Sequence, residues 1–219
     1  MSPASWVVIF LLVAAAGLTW RAARLPVERI AGTRLTVYAQ TLLFLLVLAT
    51  CSVVVIYKDG QSLSGFGVHA GNLSRAVGPG VAAAAVLALA VCGLERIAGF
   101  REKDLLVYLM PVTGVEKTVY ILLAIVAGFS EEIIYRGFLI DRFSTLFGSV
   151  WLAALASSAL FGFSHGYQGR VGIVRSGLIG LALASLYLRT GNLVTVMVTH
   201  AAYDLIVALV FARLLRPGR

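Results

Sequence analysis

Seven apolar runs separated by short polar or glycine-rich segments organise this chain: Trp6–Trp20, Leu35–Tyr57, Val81–Ala98, Val119–Ile140, Trp151–His165, Ile173–Tyr187 and Leu193–Leu214. A helix needs about 20 predominantly apolar residues to cross a hydrocarbon core of about 30 Å, and each run reads as such a span. The expected fold is therefore all-α, a polytopic membrane helical bundle of about seven transmembrane helices. Trp6–Trp20 is read as a first span and not as a signal peptide, because its arginines, Arg21 and Arg24, follow the apolar run. Lys58–Gly80, rich in Gly and Ser and carrying His69, reads as an external loop. In Phe100–Lys117 the run Leu105–Met110 is halted by Pro111 and is too short to cross, so an interfacial helix on the cytoplasmic side is expected.

Composition strengthens this picture. Hydrophobic residues make up 60% of the chain and charged residues only 13%, about half the charged share of a typical soluble domain. The mean hydropathy is +0.94. A net charge of +8 raises nucleic acid as a partner, but the basic residues form no single patch and no nucleotide-binding glycine motif is present, so no nucleic-acid partner is expected. Instead the charge follows topology. With the N-terminus outside, Arg21, Arg24, Arg29, Arg34, Arg96, Arg101, Lys103, Lys117, Arg170, Arg175, Arg213, Arg216 and Arg219 fall on the inner side, against Lys58, Arg75, Arg142 and Arg189 outside. Cys51 and Cys92 lie within apolar runs and form no C-x-x-C pair, so both read as small buried hydrophobes.

The exception to the apolar pattern is Ser130-Glu131-Glu132-Ile133-Ile134-Tyr135-Arg136-Gly137 in the fourth run. One carboxylate at a bilayer centre costs about 3 kcal/mol by insertion scales. Glu132 and Arg136 stand at i and i+4 with the acid first, the favourable order for a helical pair, which leaves Glu131 as the unpaired carboxylate. His165 ends the fifth run, and His200 and Asp204 share one face of the seventh. Intramembrane ionisable groups face the bundle interior or a water cavity, so these six on three helices predict one polar pocket. His69 has no such partner. A carboxylate and two imidazoles around water supply what hydrolysis needs: a base, a proton donor and donors for a developing oxyanion. A serine nucleophile is less convincing: Ser130 has no G-x-S-x-G around it, and Gly162-Phe163-Ser164-His165-Gly166, which has that spacing, ends an apolar helical run where the motif's chemistry needs a strand-to-helix turn. Glu131, His165 and His200 could instead hold a divalent metal such as zinc, although H-E-x-x-H is absent.

Glu131-Glu132-x-x-x-Arg136, Phe161-x-x-x-His165 and His200-x-x-x-Asp204 resemble, in order and spacing, the three motifs of the CAAX-protease and bacteriocin-processing (CPBP, or Abi) intramembrane proteases, relatives of the Ras-converting prenyl endopeptidase. The resemblance covers roughly Val119–Val210. It implies a glutamate-dependent endopeptidase core over residues 119–219, preceded in the same membrane domain by three spans and an interfacial segment (1–118). By resemblance, Glu131 activates water with help from His165, Glu132 and Arg136 fix the helix, and His200 and Asp204 line the oxyanion side, with no cofactor. Asp204 departs from the asparagine of the best-described members, and as a triad-type carboxylate it would orient and charge His200. The implied substrate is membrane-embedded or lipidated, and the implied location a prokaryotic inner membrane. A proton or ion carrier and a non-cutting immunity or scaffold protein are the rival classes. One expectation is discordant: at 1.5 Å per residue Glu131 and His200 fall about 10–14 Å below the outer face and His165 about 20 Å below it.

Overall fold

The computed structural model describes residues 1–22, 24, 33–69, 71–98 and 104–210. Arg29, Arg101, Glu102, Lys103, Arg213, Arg216 and Arg219, with the expected end of the last span at 211–214, lie outside the described residues. The chain is an all-α bundle: α1 (Pro3–Ala22), α2 (Arg34–Lys58), α3 (Asn72–Ala98), α4 (Asp104–Leu109), α5 (Gly114–Glu132), a π-helical turn and a half (Ile133–Leu139), α6 (Ile140–Phe147), α7 (Val150–Ser164), α8 (Gly169–Thr190) and α9 (Leu193–Val210). Five helical stretches have the length and apolarity to cross a membrane: Pro3–Arg21, Arg34–Lys58, Asn72–Ile97, Gly114–Phe147 and Gly166–Thr190. Val150–Ser164 and Leu193–Ala208 are apolar but shorter. Large apolar side chains point outward, among them Phe10, Leu43, Leu89 and Ile97, as lipid-facing surface requires.

Three boundaries differ most from the sequence expectation, each for a local reason. The third span starts at Asn72, not Val81, because Asn72 Nδ2 donates to Gly67 O at 2.8 Å and Ser74 Oγ to Gly71 O at 3.1 Å, anchoring the helix start inside the expected loop. The fourth starts at Gly114 because Thr113 and Glu116 form a reciprocal capping box, the Thr113 hydroxyl accepting from Glu116 N and the Glu116 carboxylate from Thr113 N. It also runs on without a break to Phe147, past the expected end at Ile140, before Gly148 turns the chain with φ 65°.

That extension removes the discordance in depth between Glu131 and His165. Glu131 precedes the Gly148 turn by nearly the same number of residues as His165 follows it, so on antiparallel neighbours both lie about 22–24 Å from the turn.

α9 runs through the middle, packed against α3, α5 and α8, while α7 packs on α8 and α1. The main core gathers on the π-helical segment, where Ile134, Tyr135, Phe138 and Leu139 meet Ile56, Phe161, Leu193 and Met197. At one end of the bundle Arg142 is clamped by Asp59 (3.0 Å), Asp141 (2.6 Å) and Gln61 (2.9 Å), tying the end of α2 to α6. At the other end Arg34 Nε and the Tyr38 hydroxyl donate to the carbonyls of Tyr108 and Leu109, docking α4 on α2.

The α5–α9 approach sets the site. A Cβ at Gly128 would lie 2.7 Å from Ala201 N and 2.8 Å from Ala201 Cβ, so only glycine allows this separation. We predict that Gly128→Ala costs about 1–3 kcal/mol through overpacking, read as a lower melting temperature in detergent; unchanged melting would mean the helices part without penalty.

Candidate active site

Glu132 is the site's fixed point. Its side chain is fully buried, and Oε1 accepts from Arg136 Nη1 at 2.7 Å and from His200 Nδ1 at 2.7 Å. The pair is the i,i+4 pair expected from the spacing. The second contact was not legible, because it depends on α9 crossing α5 at Gly128. Arg136 Nη2 donates to Gly180 O at 2.9 Å, and its guanidinium lies 4.7 Å over the Phe161 ring. One carboxylate–guanidinium pair thus joins α5, α7, α8 and α9.

The π-helical segment immediately after Glu132 serves this arrangement. Its wider turn departs from the regular ladder, and Ser157 Oγ from α7 donates to Tyr135 O at 2.7 Å. Such segments recur at functional sites; nothing in the spacing of apolar residues announces one.

Hydrogen-bond partners assign the tautomers of both histidines. Phe161 O accepts only, so His165 Nδ1, at 2.9 Å from it, carries the hydrogen and Nε2 is left basic. His200 Nδ1 likewise donates to Glu132, and Nε2 turns to Glu131 Oε2 (3.6 Å) and Asp204 Oδ2 (3.7 Å). Both separations exceed hydrogen-bond length. The orienting contact expected of Asp204 is therefore made by Glu132, and Asp204 faces His200 from across a gap. Phe161 packs the three together, its ring centroid 4.6 Å from His165, 5.8 Å from His200 and 5.1 Å from Tyr135.

Glu131, His165, His200 and Asp204 all line one cavity of about 880 Å³, whereas Glu132 and Arg136 stand behind its wall. Its remaining lining comes from α1 to α5 and α7 to α9 and is largely apolar, with Gln40, Arg96, Tyr120, Tyr135, Tyr167 and Arg175 among the polar exceptions. The adjacent carboxylates therefore differ in kind: Glu132 is consumed by its ion pair, and Glu131 has no partner within hydrogen-bond distance among the described residues. Among those residues no group of three or more His, Cys, Asp or Glu is placed to hold a metal ion. His69 lies away from this cavity, in the segment between α2 and α3.

A bundle of apolar helices with carboxylates and imidazoles around one internal cavity defines an integral membrane protein with an intramembrane polar site. Residues 115–206, the stretch that carries every one of these groups, match the family described as type II CAAX prenyl endopeptidase Rce1-like. No curated protein and no solved structure matches the chain. The family match supports an endopeptidase working in the membrane.

Removing the Glu132 charge strands a buried guanidinium. We predict that Glu132→Gln loses about 3–5 kcal/mol of stability, measured by thermal or denaturant unfolding in detergent; a variant as stable as the wild type would mean that Arg136 finds another partner.

Proposed function

We propose that this chain is a glutamate-dependent intramembrane endopeptidase. The observation that carries the reading is the division between adjacent carboxylates: Glu131 faces the cavity uncommitted, while Glu132 is locked behind it. Glu131 removes a proton from water, whose oxygen attacks the carbonyl carbon of the scissile peptide bond. His165, with Nε2 basic, orients that water and shares its proton. His200, protonated on both ring nitrogens among the carboxylates of Glu131, Glu132 and Asp204, donates through Nδ1 to Glu132 and presents Nε2–H on the oxyanion side. The proton held by Glu131 then passes to the peptide nitrogen as the C–N bond breaks, which regenerates the carboxylate. A positioned general base contributes about 10²–10⁴-fold, and a preorganised oxyanion donor about 10²–10³-fold.

The substrate we propose is a polypeptide held at the membrane by a lipid group or its own apolar segment. The apolar lining around a small polar zone supports this, because such a cavity accepts a hydrocarbon without stranding polar groups. The family description names CAAX prenyl endopeptidases, which makes a prenylated C-terminal peptide the first substrate to try. We further propose a prokaryotic inner membrane with the N-terminus outside. Orientation follows from the excess of Lys and Arg on one side, and the cell type rests on the family resemblance alone.

In liposomes, cleavage of a farnesylated CAAX peptide should fall about 10²–10⁴-fold in Glu131→Gln and survive a strong zinc chelator. Cleavage by Glu131→Gln at the wild-type rate would remove Glu131 as the base. Loss to the chelator with restoration by added metal would replace the proposed mechanism by a metal-dependent one.

Because Glu132 rather than Asp204 bonds His200 Nδ1, Asp204→Asn should keep kcat within about tenfold of wild type, while His200→Ala falls by about 10²-fold or more. Equal losses in the two would show that the Asp204 charge is required.

A further inference from the structure

Between α7 and α8 the chain makes one short 3-10 turn, Gly166–Gln168. Tyr167 at its centre lines the same cavity as Glu131, His165 and His200, with its ring 6.1 Å from that of His165. Its hydroxyl is set by a relay. Arg175 Nη2 donates to Gln168 Oε1 at 2.8 Å, and Gln168 Nε2 lies 3.1 Å from the Tyr167 hydroxyl. A guanidinium can only donate, so the oxygen of the Gln168 amide is the atom facing Arg175, and its NH2 must face the tyrosine. The tyrosine oxygen is thereby an acceptor from Gln168, and its own hydrogen is directed elsewhere. Among the described residues nothing accepts that hydrogen. Arg175 is itself held by Glu95 of α3, so the relay starts from an ion pair between two cavity walls.

We propose that Tyr167 is a substrate-binding residue, whose hydroxyl donates to a backbone carbonyl of the polypeptide beside the scissile bond, with Gln168 as the positioning residue that keeps it a donor. The proposal rests on the endopeptidase reading and adds a specificity contact to it. A peptide entering this cavity brings carbonyl oxygens that lose their water and need donors. Of the groups in the polar zone around Tyr167, the Glu131 and Asp204 carboxylates and His165 Nε2 are acceptors, His200 serves the oxyanion side, and Arg175 is engaged by Glu95 and Gln168. Ser164 Oγ and the Tyr38 hydroxyl, which also line the cavity, donate to Phe161 O and Leu109 O. A neutral hydroxyl suits a neutral carbonyl, whereas an anionic ligand would meet the two carboxylates.

The test uses purified protein in liposomes with a farnesylated CAAX peptide as probe. Tyr167→Phe, which removes one oxygen and keeps the ring, should lower kcat/KM by about tenfold to a hundredfold with an unchanged melting temperature. Gln168→Glu should do the same by another route: a carboxylate still pairs with Arg175 but offers Tyr167 an acceptor and turns its hydrogen away from the cavity. Since both act on one hydrogen, the double variant should fall within about twofold of either single variant. Activity of Tyr167→Phe within about twofold of wild type, or losses that multiply in the double variant, overturns the proposal.

Binding of the same peptide to Glu131→Gln and to Glu131→Gln/Tyr167→Phe gives a second readout that needs no turnover. About tenfold weaker binding by the latter is expected, and equal affinity overturns the tyrosine contact. Wild-type-like cleavage by Glu131→Gln would sink the glutamate-based reading alone. Absence of both cleavage and binding would sink the two together.

Discussion

A single buried carboxylate oxygen, Glu132 Oε1, is the point on which fold and site both depend. An ionised carboxylate removed from water is tolerable only with a partner of opposite charge and with hydrogen bonds, because its desolvation costs several kcal/mol even after relaxation. Here the same oxygen accepts from Arg136 and His200. Arg136 spends its other nitrogen on Gly180 O and its flat face on Phe161. Glu132 Oε1 and the guanidinium therefore find all of these partners only when α5, α7, α8 and α9 are in place. The site is not grafted on a finished bundle; it is one of the reasons the helices meet where they do.

The two histidines show how little of the chemistry is left to chance once the backbone is fixed. In each, Nδ1 faces an acceptor, Phe161 O for His165 and Glu132 for His200. Both rings thus turn Nε2 to the cavity side. Second-sphere contacts that fix a tautomer govern imidazole reactivity as much as the ring itself. The same logic extends to Tyr167, where an amide held by a guanidinium decides which way a hydroxyl donates.

Much of this was legible in the sequence. Glu132 and Arg136 pair as their i,i+4 spacing requires, Glu131 is the carboxylate left over, and the six ionisable groups of three spans do converge. What escaped reading was set by contacts between helices. The Glu132–His200 bond needs the Gly128–Ala201 approach, and a glycine in an apolar run carries no mark of what it touches. The π-helical segment has no periodic signature, so the face turned by Tyr135 and Arg136 could not be placed. The run-on of the fourth helix to Phe147 was missed because Asp141 and Arg142 look like a polar boundary; Asp59 and Gln61 reach them from the end of α2. The early start at Gly114, by contrast, was written in Thr113-x-x-Glu116 and could have been read. Tyr167 carries no motif at all; its place follows from Arg175 further along the chain.

α3 leans on α9 along much of its length, and α9 in turn carries His200 and Asp204 between α5 and α8. Leu89 and Ile97 on the far side of α3 face outward. A lateral load on α3 would therefore meet α9 directly, with no loop between the two helices, and α9 is the helix that holds His200 and Asp204 in place.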